Sequence, residues 1–408
     1  MEVSRDNLRK HVDYLASPEL RGREFGSEED RLASRYVQKH FKEYGLVAPD
    51  RYPDYLQALP WDGQNVLGIL CGSDPELSNE CVIIDAHQDH MGNGFAGASD
   101  NAAGVAILLE LARVLANSKE KMRRSLLFAC FDGEESIINI DGKKQLMQGA
   151  TFYVKNSIFD LKKTSALLTL DTVGRNFLSN NLLFILGLER SLFLQSIIDD
   201  CATNLRKIMF GIDLLTGVMG NYLPFVDKKI PSLFISNGTH RDYHGKGDTA
   251  DKVSYDLLYE DSMFLIELAT RIASSANKSD FCKNPINPEG EAEDILYLMT
   301  LLKEAISQSM PSDATKFDFI LDKLRGSPSK KETKQAVQIL LGFATPNFAK
   351  LYLLLNEAQN AEKKKEHSEA LMYYNEILEL YNEYRVPYLW LQEIRDKVEN
   401  LKKKISHI

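Results

Sequence analysis

Two kinds of apolar pattern alternate along the first two thirds of the chain. Short, continuous apolar runs occur at Asn65–Leu70, Cys81–Ala86, Ser125–Phe131, Ser165–Leu170, Leu182–Ile185 and Ser232–Ser236. Runs of this length, bounded by polar or turn-forming residues, predict buried strands. Between them lie longer stretches with helical spacing: Leu8, Val12 and Leu15; Leu32, Tyr36, Val37 and Phe41; Glu189–Thr203; and Ser254–Ser274. Ala102–Ala116 carries only Glu110 and Arg113 as charges, which predicts a helix buried nearly all round. Strands alternating with helices predict an α/β fold: a doubly wound, mixed but mostly parallel sheet with helices on both faces.

The pattern changes at the Pro-, Asn- and Gly-rich stretch 281–290. An α/β unit is therefore expected over 1–280, a linker over 281–290 and an all-α region over 291–408. Helices in that region are expected near 291–307, 313–325, 330–343, 346–364, 367–384 and 387–404. Ala370, Tyr374 and Ile377 are spaced like the second helix of a tetratricopeptide hairpin, but no repeat period follows. The region is read as a helical cap on the α/β unit, with an interaction module for a protein partner as the alternative.

Composition narrows the function classes. The chain has 408 residues, 44% hydrophobic and 26% charged, with a formal charge of −9. An acidic balance argues against a nucleic-acid partner. Five scattered cysteines, at 71, 81, 130, 201 and 282, include no Cys-x-x-Cys, so a structural zinc finger is not expected. No apolar stretch has the length to cross a membrane, and Met1–Leu20 has no signal-peptide-like apolar core. A cytoplasmic protein is expected, or a secreted or periplasmic one where a leader has been removed.

The chemistry-bearing residues fall at the ends of the predicted strands. The run ending at Ala86 delivers His87-Gln-Asp89-His90, and Asp100-Asn101 opens the apolar helix. Phe131 is followed by Asp132-Gly-Glu134-Glu135, Leu170 by Asp171-Thr-Val-Gly174, and the last strand by His240-Arg-Asp242-Tyr243-His244. Of the eight histidines in the chain, four lie in two of these windows. In open α/β sheets the carboxyl ends of strands are where ligands bind. Asp100, Glu135, Asp171, His87 and His244 make a nitrogen and oxygen donor set suited to zinc, with manganese or cobalt as variants. Five donors exceed what one open tetrahedral zinc takes, and fit two zinc ions per chain sharing a carboxylate. Asp89, two residues after His87, is expected to hold the imidazole tautomer. Glu134, beside Glu135, is expected to act as a general base. His90 and His240 are expected to be loop polar groups, Asp85 a satisfied buried carboxylate, and Asp132 and Asp248 supporting or turn residues.

Taken in order, these segments resemble the co-catalytic zinc aminopeptidases of the bacterial leucine aminopeptidase type, in the same clan as glutaminyl cyclases. The shared pattern is His-x-Asp, Asp-Asn-x-x-Gly opening a buried helix, Glu-Glu after a strand, Leu-Asp-x-Val-Gly, and Tyr-His near Asp-Thr. Leu15-Ala-Ser-Pro-Glu-Leu-Arg-Gly-Arg23 resembles the family's opening segment. The resemblance implies one zinc on His87 and Asp171, a second on Glu135 and His244, Asp100 as bridge, and Tyr243 as donor to the oxyanion. It also implies peptide substrates with a free N-terminus. Two departures stand out: Ser136–Gln148 lengthens the connection after Glu135, as in glutaminyl cyclases, and Gly220-Asn221-Tyr222 replaces the usual Ser-Asp-His. A single-zinc cyclase and a non-catalytic binding module are the alternatives. Carboxypeptidases and dipeptidases share much of such a metal shell.

Overall fold

The structure, a computed structural model, describes residues 2–406 except 120, 137, 141–142, 146–147, 178–180, 215–219, 283–287, 310–313, 327, 345 and 385–390. Its frame is one eight-stranded mixed sheet. The strands are β1 (Leu56–Ala58), β2 (Gln64–Leu70), β3 (Cys81–His87), β4 (Ser125–Phe131), β7 (Thr164–Leu170), β8 (Leu182–Leu186), β9 (Arg206–Phe210) and β10 (Ser232–Ser236), in the order β1-β2-β4-β3-β7-β10-β8-β9. The two short strands β5 (Ile138–Ile140) and β6 (Lys143–Gln145) pair with each other as a separate two-stranded sheet. The central neighbours β4, β3, β7 and β10 are mutually parallel, whereas β1-β2, β2-β4 and β10-β8 are antiparallel. Four parallel strands therefore end at one edge, and the segments leaving that edge carry the polar clusters.

Every residue of β3, β4, β7 and β10 is buried, as expected of strands covered on both faces. One face packs against α1 (Arg5–Leu15), α2 (Glu28–Glu43), α3 (Ala103–Ala116), α5 (Leu192–Asp200) and α7 (Tyr255–Ser274). Serines 4, 27, 191 and 254 cap α1, α2, α5 and α7 by accepting the amide N–H three residues on, each bond contributing about 1 kcal/mol. Inside α3, buried Glu110 pairs with Arg113 at 2.6 Å and accepts the Ser4 amide. That pairing lets an otherwise apolar helix keep a carboxylate in the core.

The other face packs against α4 (Gln148–Lys155), α6 (Leu223–Val226), α8 (Pro288–Ser309), α9 (Ala314–Leu324) and α10 (Lys330–Ala344). The first half of the helical region thus completes the sheet's second core. The last three helices, α11 (Pro346–Lys364), α12 (His367–Tyr381) and α13 (Leu391–Ser406), share a core of their own, in which Ala370, Tyr374 and Ile377 are buried. The centre of the expected 281–290 linker, residues 283–287, lies outside the described residues, as do the expected helix starts at 313 and 387.

β9 was not expected. It is the sheet's outer strand, and Asp294 of α8 accepts the Met209 amide at 2.8 Å and pairs with Arg206 at 2.9 Å. A helix carboxylate thereby occupies an edge N–H that would otherwise invite another strand.

Candidate metal centre

His87 is the last residue of β3, opposite Phe131 at the end of β4. Asp171 follows the last residue of β7, and its amide is bonded to the Ile235 carbonyl of β10. Asp100 stands just ahead of α3, across the cis Asp100–Asn101 peptide. Glu134 and Glu135 leave β4, and His244 lies in the loop between β10 and α7.

The structure brings the six together. Asp100 Oδ1 lies 3.2 Å from His87 Nε2, and its Oδ2 lies 3.1 Å from His244 Nε2. His87 Nε2 is also 3.6 Å from Asp171 Oδ1, and His244 Nε2 is 3.4 Å from Glu135 Oε1. His87, Asp100 and Asp171 converge closely enough to share one ion, as do His90, Asp100 and Glu135. His87 Nε2, Asp100 Oδ2 and Glu135 Oε1 are buried and, beyond these close contacts, make no hydrogen bond of good geometry among the described residues. Buried donors and acceptors left this way call for a missing partner, and a divalent cation among imidazole and carboxylate groups fits that set.

The electrostatics point the same way. Burial opposes charge on His87, but Asp100, Asp171 and Asp89 outweigh it and hold the ring well above its usual range. Burial likewise opposes charge on His244, and Glu135 and Asp100 lift it to about 10. Burial opposes ionisation of Asp100, yet the two imidazoles hold it well below the carboxylate range. Without metal, protons on the rings supply the positive charge that the carboxylates require. Glu134 differs: burial, reinforced by Glu135, Asp171 and Asp89 and opposed by His87, raises its carboxyl well above the usual value.

Asp89 is close by and touches His87 through its main chain. His87 Nδ1 reaches the Asp89 main-chain carbonyl at 3.1 Å, while the carboxylate stands 3.7 Å away, too far for a hydrogen bond. The Asp89 oxygens instead accept the amides of Glu134 and Glu135 at 3.0 and 3.1 Å. The backbone carbonyl fixes the ring, and the carboxylate fixes the loop with the two glutamates. Asp248 does the same for Asp100, accepting the amides of Ser99 and Asp100 at 3.0 and 3.2 Å. Tyr243 stacks on His244 with ring centroids 3.8 Å apart. Burial and the four carboxylates Asp100, Glu135, Asp171 and Glu134 push its phenol well above the usual range, so it keeps its proton.

Two histidines expected to be loop polar groups are buried parts of the site. His90 Nδ1 lies 3.3 Å from Glu135 Oε1, and its ring occupies space that a Cβ on Gly97 would fill, 2.5 Å from His90 Cγ. Gly97 also has φ of 56°, so two requirements there favour glycine. His240 Nε2 lies 2.7 Å from Ser99 Oγ, beside Asp248. Arg23, in the opening segment, was not singled out either. Its buried guanidinium donates to the carbonyls of Leu15, Gln88, Ala96 and Gly97, tying the segments after His87 and before Asp100 to the first helix. Asp85 is satisfied by Thr169 at 2.7 Å and Asn221 at 3.0 Å. Asp132 accepts the Gln64 amide at 2.7 Å and so supports β2.

Comparison with known proteins gives the family and the fold. The profile of "Peptidase family M28" matches residues 65–268, half of the chain. Endoplasmic reticulum metallopeptidase 1 of Mus musculus is 24% identical over 230 residues, 54% of this chain and 24% of that protein. Among solved structures, a Zn-dependent exopeptidase from Parabacteroides distasonis superposes with TM-score 0.51 at 18% identity, covering 66% of this chain and 99% of that one. Tannerella forsythia glutaminyl cyclase gives TM-score 0.51 at 16% identity, over 66% and 99%. The chain spans less than half the length of the curated relatives it matches. No helix among the described residues is long and apolar enough to cross a membrane. With a family match over residues 65–268, which include every residue of the centre, the chain belongs to peptidase family M28.

Proposed function

We propose that the protein is a metal-dependent aminopeptidase that removes N-terminal residues from peptides with a site for two zinc ions. The observation that carries this reading is Asp100, whose two oxygens face two different imidazoles at 3.2 and 3.1 Å. His87 and Asp171 would hold one ion, Glu135 and His244 the other, with Asp100 bridging. Bound there, the ions would supply Lewis-acid polarisation of the scissile carbonyl and ease ionisation of the attacking water.

The protein's own groups move the protons. Glu134, held by Asp89 through its amide, takes the proton from the attacking water. Its carboxyl, raised by burial and the neighbouring carboxylates, then returns that proton to the leaving amine. Tyr243, which keeps its proton, donates a hydrogen bond to the oxygen that becomes negative.

The test is a substrate screen with and without added zinc, using aminoacyl anilides, N-blocked peptides and peptides with N-terminal glutamine. Zinc-dependent release of anilide from free but not blocked substrates supports the reading. Cyclisation of N-terminal glutamine without hydrolysis would replace it with the cyclase reaction, and activity on none would point to a binding module.

A further inference from the structure

The loop between β10 and α7 has two anchors. On one side Arg175 and Lys252 pair with Asp242 at 2.9 and 3.1 Å. On the other, the turn after α12 presses on the residues that follow His244. The Lys246 amide donates to the Glu383 carbonyl at 3.2 Å, and Lys246 Nζ lies 3.2 Å from Glu383 Oε1. Gly245 and Tyr384 form an isolated antiparallel bridge. The Tyr384 ring comes so close that a Cβ on Gly245 would lie 2.6 Å from its Cε1. Tyr384 also packs against the core of α11–α13, and its amide bonds to the Leu380 carbonyl at 2.9 Å. One aromatic side chain thus joins a packed three-helix unit to the backbone beside a site histidine.

His244 needs such support. Its φ is 55°, a left-handed conformation that a residue with a side chain holds only where its surroundings impose it. The same loop carries Asp248, which holds the amides of Ser99 and Asp100. Displacing Gly245 would therefore move His244 directly and Asp100 through Asp248. The exposed Lys246–Glu383 ion pair contributes little by itself, so the Tyr384 packing and the main-chain bond are the effective parts.

We propose that the Glu383–Tyr384 turn is a clip that fixes the His244 loop, and that Tyr384 is a positioning residue for the metal centre. The helices α11–α13 then act on the site while supplying no ligand. This rests on the reading of His244 as a zinc ligand, which the experiment tests separately.

Full-length protein is stripped of metal and titrated with zinc against a fluorescent chelator, and helical content is followed by circular dichroism. His244→Ala is expected to lose one of two zinc equivalents. Tyr384→Ala is expected to weaken one of the two by about tenfold, the lower end of what supporting residues of metal sites contribute, and to speed amide exchange across residues 240–250 of the metal-free protein. Tyr384→Phe, which keeps the ring, should restore both. If Tyr384→Ala loses helical signal, Tyr384→Leu carries the test, because it keeps apolar packing against α11–α13 and lacks the ring on Gly245. Wild-type zinc affinity and exchange in the folded Tyr384 variant, with one equivalent lost in His244→Ala, would overturn the clip alone. Two equivalents retained in His244→Ala would overturn the ligand reading and the clip with it.

Discussion

Asp261 offers a test of the fold's link to the site that needs no metal. It is fully buried in α7, where one oxygen accepts from Asn237 Nδ2 at 3.2 Å and the other has no partner among the described residues. Asn237 in turn accepts the Gly174 amide at 2.6 Å, at the end of the Asp171–Gly174 turn. Burial raises the Asp261 carboxyl from 3.8 to about 8. The folded chain therefore binds a proton that the unfolded chain has released between those values. Stability from this group is complete below about pH 4 and is lost as pH rises through about 8. At about 1.36 kcal/mol per unit, the loss is on the order of 5 kcal/mol. Asp261→Asn keeps the acceptor for Asn237 and cannot ionise. Urea unfolding of both metal-free proteins should give a variant about 1.6 kcal/mol more stable at pH 5 and on the order of 5 kcal/mol more stable at pH 9. Other titrating groups cancel in the difference. A wild-type-to-variant gap that stays constant from pH 5 to 9 would refute the reasoning.

Three further outcomes follow from the site. Glu134→Gln should lower kcat by at least about 10²-fold with zinc content unchanged, and a variant that loses zinc instead would make Glu134 a ligand. Asp89→Asn can accept only one of the two amides at 3.0 and 3.1 Å. It should lower the Tm of the metal-free protein and weaken zinc by about 10–100-fold in chelator competition. His87 and His244 are both held protonated at neutral pH, so zinc binding should release about two protons per chain and weaken as pH falls. Calorimetric heats that do not vary with the buffer's ionisation enthalpy would contradict this.

What was legible in the sequence was whatever a local pattern encodes. Cys81–His87 and Thr164–Leu170 are buried on both faces, so each appears as an unbroken apolar run, and the residues after it necessarily leave at the sheet's edge. β9 was missed because an outer strand buries only alternate side chains, and Arg206 and Lys207 at its start give it a polar appearance. Its protection by Asp294 comes from far along the chain. His90 has no local signature either: its place beside Glu135 depends on the space left at Gly97. For Asp89 the spacing pointed to the imidazole, 3.7 Å from its carboxylate, but could not show that the same carboxylate also accepts two amides arriving from β4. The tail's division between α8–α10 and α11–α13 was equally invisible, because both halves are helices of similar composition and differ only in what they pack against.

The central claim is that one carboxylate, Asp100, serves two ions. Elemental analysis of gently purified protein measures this directly: the account predicts two zinc equivalents per chain in the wild type and one in Asp171→Ala. A reproducible single equivalent in the wild type, with His87→Ala harmless to activity, would contradict it.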